Sequence, residues 1–149
     1  MNEFDTLEKV QKLFEKYNLN GENNNYFIAY KDYTKASGMA NGMEYPYDAL
    51  LINRTEKGLG MILLATKGLT FNFVKLEILN LKEDEFIVVD NELIQSVTIK
   101  KYALLNSSKK RITINAKDGK TYDLYANVNE PLLPYHNDGF DKFLNEFSK

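Results

Sequence analysis

The sequence predicts a mostly β (α+β) fold, in which about seven antiparallel strands form a barrel or sandwich and an α-helix lies at each end of the chain. Two patterns predict it. Short runs that alternate apolar and polar residues, as half-buried strands do, recur through residues 26–127. Helical spacing of three or four residues marks residues 1–20 and 137–148. The length of 149 residues fits a single domain, 1–149.

The composition narrows the class of protein. The chain has no cysteine, which excludes disulfides and thiolate metal sites and fits a reducing cytoplasm, where we expect the protein to be. The first residues are acidic and amphipathic, so we expect no signal peptide, and no apolar run has the length of a membrane span. A net charge of −2 gives no global attraction to nucleic acid or anionic membranes.

The N-terminal helix is predicted by an apolar stripe that ends before Asn18–Gly21, a helix-stop sequence. The stripe comprises Phe4, Leu7, Val10, Leu13, Phe14 and Tyr17. Because a lone amphipathic helix cannot bury such a stripe, we expect it to pack on the following strands or on a partner.

Between the helices, the alternation predicts a series of short strands with a charged turn at Lys82–Glu85. The hairpin around Thr55–Gly58 is apolar on successive residues, and successive strand residues point to opposite faces. Both of its faces therefore need cover, one from the core and the other from the N-terminal helix or a second subunit. We predict strands at 26–33, 48–54, 59–66, 71–79, 86–89, 93–102, 111–116 and 121–126.

The last hairpin has a register that can be worked out from the sequence. A two-residue turn would place Ile114 opposite Asp123 and mix apolar and charged residues on one face. A three-residue loop, Lys117–Gly119, places Ile114 opposite Tyr122 and keeps the apolar face intact. We therefore predict a type I turn with Gly119 in the left-handed region, as in a G1 bulge.

The segment 36–45 has weak structural signals, and we expect it to form the loosest loop. Tyrosines cluster around it, at positions 26, 30, 33, 45 and 47. These side chains are either strand residues and loop anchors or a protein-binding surface, because exposed tyrosines are common interface anchors. The candidate protein-interaction surface comprises Tyr26, Tyr30, Tyr45, Tyr47, Met39 and Met43.

A basic cluster lies in the last three predicted strands, with Asp118 as the only acid among its members. It indicates either solvated strand faces and turns or a patch for an anionic partner. No aromatic series interleaves with the lysines, so we expect no specific binding of nucleic acid. The candidate patch comprises Lys100, Lys101, Lys109, Lys110, Arg111, Lys117 and Lys120.

The C-terminal helix follows a possible cap at Asn137 or Asp138 and carries an aromatic stripe that should plug or cap the sheet. The stripe comprises Phe140, Phe143, Leu144 and Phe147. His136 is the only histidine, and with no cysteine present we expect no metal site. No catalytic motif occurs, so we expect neither an enzyme nor a cofactor.

The order and texture of these segments resemble bacterial PH-like domains, of the pleckstrin-homology superfold. The matching residues are Ile94–Lys101 and Arg111–Asn127, followed by Phe140–Phe147, and the resemblance covers about residues 26–149. It implies a scaffold for binding or assembly without enzymatic activity. One predicted strand and the N-terminal helix exceed the family pattern.

Two functions remain open at this point. One is a non-enzymatic interaction or assembly module with a protein partner or with a second copy of itself. The alternative is a small barrel that binds an apolar or anionic small ligand, with Met39 and Met43 in a lid. PH domains that bind lipid headgroups carry clustered basic residues in the first hairpin loop. Here that loop offers Lys35 against Glu44, so headgroup binding there is not expected.

Overall fold

The computed structural model describes residues 6–16, 25–31, 49–66, 79–103, 106–131 and 133–147. Most of the strand predicted at 71–79, the loop at 36–45 and Tyr33 lie outside these residues. A short 3-10 turn, Asn91–Leu93, follows the fourth strand. The elements are α1 (Leu7–Lys16), β1 (Tyr26–Lys31), β2 (Ala49–Arg54), β3 (Gly58–Thr66), β4 (Leu79–Asp90), β5 (Ile94–Ala103), β6 (Asn106–Ala116), β7 (Thr121–Asn127) and α2 (His136–Phe147).

The described strands form one seven-stranded sheet in the order β4-β3-β2-β1-β7-β6-β5, and every neighbouring pair is antiparallel. The sheet curls into a half-barrel, which confirms the predicted fold class. It consists of two meanders, β1–β4 and β5–β7. They meet where β1 lies beside β7, at the pairs Tyr30–Tyr125 and Lys31–Leu124 of the described residues.

The predicted register of the β6–β7 hairpin is confirmed. Ile114 lies opposite Tyr122, and the loop is closed by hydrogen bonds from the N–H of Ala116 to the carbonyl of Lys120 (2.9 Å) and from the N–H of Gly119 to the carbonyl of Ala116 (3.1 Å). Gly119 has a φ of +93°, the left-handed conformation that the three-residue loop requires. The strand before it is longer than predicted, because β6 begins at Asn106 rather than at Arg111.

The charged turn predicted at Lys82–Glu85 is wrong as a break between strands, since β4 runs from Leu79 to Asp90. The ladder with β3 is irregular at that point: Ile62 pairs with Phe86, but Leu64 pairs with Leu81. Strand β4 lies at one edge of the described sheet, and an edge strand tolerates charges and bulges that a central strand does not.

The inner, concave face of the sheet holds the larger core. Helix α2 lies in it, as its aromatic stripe predicts, and the rings of Phe140 and Phe143 have their centroids 5.1 and 4.8 Å from that of Phe27 on β1. A Cβ at Gly139 would collide with the carbonyl oxygen of Tyr26, so this glycine lets the helix lie directly on the main chain of β1.

The outer, convex face of the β2–β3 hairpin is covered by α1. Val10, Leu13 and Phe14 form a second buried cluster with residues that include Leu51 and Ile62. From the sequence, either the N-terminal helix or a second subunit could cover this face. The structure shows that the helix covers it. The hairpin is thus buried on both faces within one chain.

Candidate functional site

The outer face of the sheet divides into two halves of different character. We call the outer face of β1–β3, under α1, the covered half. The outer face of β5 and β6 is the open half, over which no described helix packs. On β5 its side chains are Ser96, Thr98 and Lys100, all exposed, and on β6 they include Arg111 and Thr113, both half-buried.

Polar groups cross the open half in rows perpendicular to the strands. In the first row, the amide of Asn115 donates to the hydroxyl of Ser96 (3.0 Å) and accepts from the hydroxyl of Thr121 (3.0 Å). In the second, Thr98 lies opposite Thr113, whose hydroxyl donates to the carboxylate of Asp123 (3.2 Å). These bonds hold the strands in register without covering the surface.

The third row is cationic. Lys100 lies directly opposite Arg111, and with Thr98 and Thr113 they line a depression of about 170 Å³. Lys109 lies two residues before Arg111 on the same strand, with its ammonium 5.0 Å from the ring centroid of Tyr125. The sequence thus brings at least three cations of the predicted basic patch to the open half.

The structure does not bring the whole predicted patch together. Lys101 lies opposite Lys110, and alternation places this pair on the other face of the sheet from Lys100. Lys117 and Lys120 are exposed at the tip of the hairpin, roughly 20 Å along β6 from Arg111 at the rise of a strand. The predicted single patch is therefore three separate groups, because a strand separates neighbours in sequence onto opposite faces.

The predicted protein-interaction surface requires a correction. Tyr26 and Tyr30 are 0% and 4% exposed, and both belong to the buried cluster under α1. The ring of Tyr26 meets that of Phe14 edge to face at 5.1 Å, and burial raises the pKa of both tyrosines above the ordinary value. They are core residues because β1 is central and covered on both faces. Tyr45, Tyr47, Met39 and Met43 lie outside the described residues.

His136 lies between β1 and β7, at the seam where the two meanders meet. The sequence did not predict this position. Its Nδ1 lies 3.1 Å from the main-chain nitrogen of Ile28 on β1, which donates to it. Its Nε2 lies 2.6 Å from the carbonyl oxygen of Asn127 at the end of β7. Because Nδ1 accepts and Nε2 donates, the ring is neutral and bridges the edges of two strands.

The surroundings of His136 favour this neutral ring. The side chain is fully buried and its ring stacks on Phe140, with centroids 5.5 Å apart. Burial lowers the pKa of His136, and the bond to Asn127 and the charge of Glu130 oppose that shift only in part. Sequence spacing gave no signal of this contact, because the strand partner Ile28 lies 108 residues away.

Glu130 completes the polar network at the seam. Its Oε2 accepts hydrogen bonds from the hydroxyl of Tyr30 (2.9 Å) and from the amide of Asn127 (2.8 Å). Its own N–H donates to the side chain of Asn137 (2.9 Å). The predicted cap at Asn137 or Asp138 is therefore wrong, since α2 already begins at His136 and Asn137 holds the preceding loop.

The far end of α2 is tied to the sheet by an ion pair. The guanidinium of Arg54, at the end of β2, donates to both carboxylate oxygens of Glu146 at 3.0 and 2.7 Å. It also donates to the side chain of Asn91 (2.6 Å) and lies 5.2 Å from the ring centroid of Phe147. Both ends of α2 are thus fixed by polar contacts to the sheet.

A wider depression of about 360 Å³ lies beside α2, against the turn that follows β7. Val128, Phe140 and Leu144 give it an apolar part, and Asp138 and Asp141 line it with carboxylates. Across the described ranges, no group of three or more potential ligand residues could hold a metal ion. Within the same ranges, every helix is too short or too polar to cross a bilayer.

Comparison of the chain with protein-family models, with curated proteins and with solved structures finds no match in any of the three.

Proposed function

We propose that the protein is a non-enzymatic interaction module of PH-like fold, which binds an acidic protein partner through the open half of its sheet. The observation that carries this proposal is the contrast within the outer face: α1 covers one half, and the other presents Lys100 opposite Arg111. Surfaces of one charge sign steer and select partners of the opposite sign.

The strand order and the position of α2 support the PH-like part of the proposal. Seven antiparallel strands followed by a C-terminal helix in the concave face agree with the order of segments on which the resemblance rests. The sequence predicted one strand more than the family pattern has. Part of this excess disappears because the segment predicted at 86–89 and the end of the one predicted at 71–79 both belong to β4. The cytoplasmic location expected from the lack of cysteine belongs to the same proposal.

The packing favours a foreign partner over a second copy of this chain. Self-association was suggested by the β2–β3 hairpin, which needed cover on two faces. Both faces are now buried within the chain, by the inner core and by α1. The hairpin no longer supports a dimer, and the open half, which is cationic, would repel its own copy.

The core argues against the alternative of a barrel that holds an apolar ligand. The described concave face is filled by aromatic side chains, with Phe27, Phe140 and Phe143 fully or almost fully buried in mutual contact. The buried ionisable groups His136 and Glu130 are engaged by main-chain and side-chain partners, as a structural network requires. This supports the non-enzymatic part of the proposal.

The test is a binding experiment with matched charge reversals on the full chain. Proteins from the source cell are captured with the wild type, with a Lys100→Glu, Arg111→Glu double variant and with a Lys117→Glu, Lys120→Glu double variant. We expect a partner that is acidic, released by salt, lost with the first variant and retained with the second. A Lys100→Glu single variant guards against misfolding, because Lys100 is exposed. Equal capture by both double variants would contradict the proposal.

A further inference from the structure

Strand β5 forms one edge of the described sheet, since β6 is its only neighbour among the described strands. Its pairing with β6 is uninterrupted from Ser96 to Lys101 and shifts only on either side of that stretch. At the opposite edge, the ladder of β4 with β3 shifts within the strand, between Ile62 and Leu64 of β3. A regular edge presents an even row of main-chain groups to a further strand, whereas a bulged edge does not.

The hydrogen bonds of β6 show which main-chain groups of β5 point away from it. The N–H of Ala116 donates to the carbonyl of Lys120, and the carbonyl of Ser108 accepts from the N–H of Val128, both on the β7 side. Even-numbered residues of β6 therefore bond towards β7, and odd-numbered ones bond towards β5. Where β5 lies opposite an even-numbered residue, its own N–H and carbonyl groups point outward, to the edge that we call the β5 edge. These outward residues are Val97, Ile99 and Lys101.

The inner core is less completely buried at the β5 edge than one strand further in. Ile112 and Ile114 on β6 are both 0% exposed. Ile99 and Val97, which lie opposite them on β5, are only half-buried. A further strand beside β5 would cover these two side chains, as β5 covers those of β6. The β5 edge thus offers apolar surface to bury as well as main-chain hydrogen bonds.

We propose that the β5 edge binds an extended segment of the acidic partner, which adds to the sheet as a further strand. This rests on the proposed function, because it names the form in which that partner meets the protein. Main-chain hydrogen bonds supply affinity in such pairing, and alternate side chains supply specificity. The residues of the segment beside Val97 and Ile99 should be apolar, and those beside Lys100 and Lys101 should be acidic.

The charge of β5 favours a foreign acidic segment over a second copy of this chain. The strand carries Lys100 and Lys101 and no acidic residue between Ile94 and Ala103. Pairing of two copies edge to edge would bring together the lysines of both without an acid to offset them, which like-charge repulsion disfavours. Lysines protect many sheet edges from such pairing, and the same two lysines attract an acidic strand.

The first experiment is amide hydrogen exchange of the full chain, followed by NMR. In the free protein, the outward amides of Val97, Ile99 and Lys101 should exchange faster than the amides between them, which bond to β6. Slow exchange at the outward amides at every protein concentration would show that the chain itself covers the edge, and would overturn the proposal. Slow exchange that appears only as the concentration rises would show that a second copy pairs there, with the same consequence.

The second experiment adds a synthetic peptide as the partner strand. The probe is a capped peptide of two glutamates followed by valine, threonine, valine and threonine, and its control carries lysines in place of the glutamates. Paired antiparallel to β5, the probe places its glutamates beside Lys101 and Lys100 and its valines beside Ile99 and Val97. We expect the probe to slow exchange at the outward amides, and the control to bind about tenfold more weakly at low salt. No protection by the probe at about 1 mM, or equal binding of the control, would overturn the proposal.

A matched pair of variants separates main-chain pairing from side-chain contact. Ile99→Pro and Ile99→Ala both remove the half-buried side chain, but only proline also removes the outward N–H. Proline is tolerated on an edge strand where its nitrogen faces away from the ladder, and thermal melting checks that both variants fold. We expect Ile99→Pro to bind the probe about fivefold more weakly than Ile99→Ala, because one main-chain hydrogen bond is lost. Equal binding would overturn strand addition. If Ile99→Pro does not fold, Val97→Pro against Val97→Ala makes the same comparison.

Partner capture distinguishes failure of this proposal from failure of the proposed function. Loss of capture in both Ile99→Pro and the Lys100→Glu, Arg111→Glu double variant is the expected result. Capture that is lost in the double variant but kept in Ile99→Pro would leave the open half as the interface and overturn strand addition. Capture that is lost in Ile99→Pro but kept in the double variant would contradict binding through the open half and leave the β5 edge as the docking site.

Discussion

The two meanders of the sheet are built from similar strands but buried to different depths. In β1–β3 the strands are covered on the inside by α2 and on the outside by α1, so that Tyr26, Leu51 and Ile62 are all buried on the outer face. In β5 and β6 only the inner residues are covered, and the outer face carries Lys100 and Arg111. The difference indicates that the first meander supplies most of the stability, and the binding that we propose uses the outer face that the second leaves open.

The largest expected effect is loss of the aromatic anchor of the covered half. Phe14→Ala should lower the free energy of unfolding by about 3–5 kcal/mol, because its ring is fully buried against Tyr26 and the cavity cannot close. Denaturant unfolding measures this. Phe86→Ala makes the same change at an edge-strand ring that is 44% exposed, and should cost about 1 kcal/mol or less. Equal losses would mean that α1 does not seal the covered half.

The second effect concerns the seam. His136→Leu replaces the neutral ring with an apolar side chain and leaves the N–H of Ile28 and the carbonyl of Asn127 without their partner. Each unsatisfied group costs about 1–3 kcal/mol, so we expect a total loss of about 2–4 kcal/mol in denaturant unfolding. His136→Gln, which restores one hydrogen bond, should lose less. A His136→Leu protein as stable as the wild type would show that the meanders are held by β1–β7 pairing alone.

The sequence predicted features that depend on local pattern and missed those that depend on distant partners. The register of Ile114 and Tyr122 followed from alternation and loop length, because both strands lie within one hairpin. The seam could not follow in this way. The ring of His136 bonds to Ile28, and nothing in the run Tyr135–Asp138 indicates a strand 108 residues earlier. The same holds for Arg54 and Glu146, which are 92 residues apart.

The candidate functional site was also predicted only in part from local sequence pattern. Seven basic residues were predicted as one patch from their closeness in sequence, but alternation sends Lys101 and Lys110 to the other face. Tyr26 and Tyr30 were candidates for an exposed surface, and both are buried because β1 became the central strand. Alternation along the strands decided the first outcome, and strand order, which local pattern does not encode, decided the second.

The seam also predicts a pH dependence. Burial lowers the pKa of His136 below the ordinary 6.5, so the folded state binds fewer protons than the unfolded state just below that pH. The contribution of His136 to the free energy of unfolding is therefore fully present above pH 6.5. It is lost as the pH decreases from 6.5 through the folded pKa. Among the described residues, Glu130 and Tyr30 are the other ionisable groups that hydrogen bonds place at this seam.

Two measurements check this dependence. As the only histidine, His136 gives one ring signal, which NMR should show still neutral below pH 6.5. The difference in unfolding free energy between the wild type and His136→Gln should narrow as the pH falls, because carboxylate titrations are common to both proteins. A constant difference would mean that the folded and unfolded states bind this proton equally, and a difference that widens as the pH falls would mean that the ring is charged in the fold.

A smaller effect is expected at the tip of the open meander. Gly119→Val should cost about 1–2 kcal/mol, because a β-branched residue resists the positive φ found there. No described atom lies within 4 Å of a Cβ at this position, so the loss would come from backbone conformation and not from crowding. Gly119→Asn, which tolerates the left-handed region, should lose less in thermal melting. Equal loss in both variants would argue against the conformational cause.

The smallest effect is the one that bears most on function. Lys100→Thr should leave stability unchanged or raise it by about 0.5 kcal/mol, because it removes a cation directly opposite Arg111. The gain should shrink in high salt, and Lys117→Thr at the tip should show less of it in the same melting series. A loss of stability would mean that Lys100 stabilises the pairing of β5 with β6. A gain, set beside the losses at Phe14 and His136, would mean that the open half keeps this charge at a cost in stability, and binding of an anion is then the reason that the structure offers.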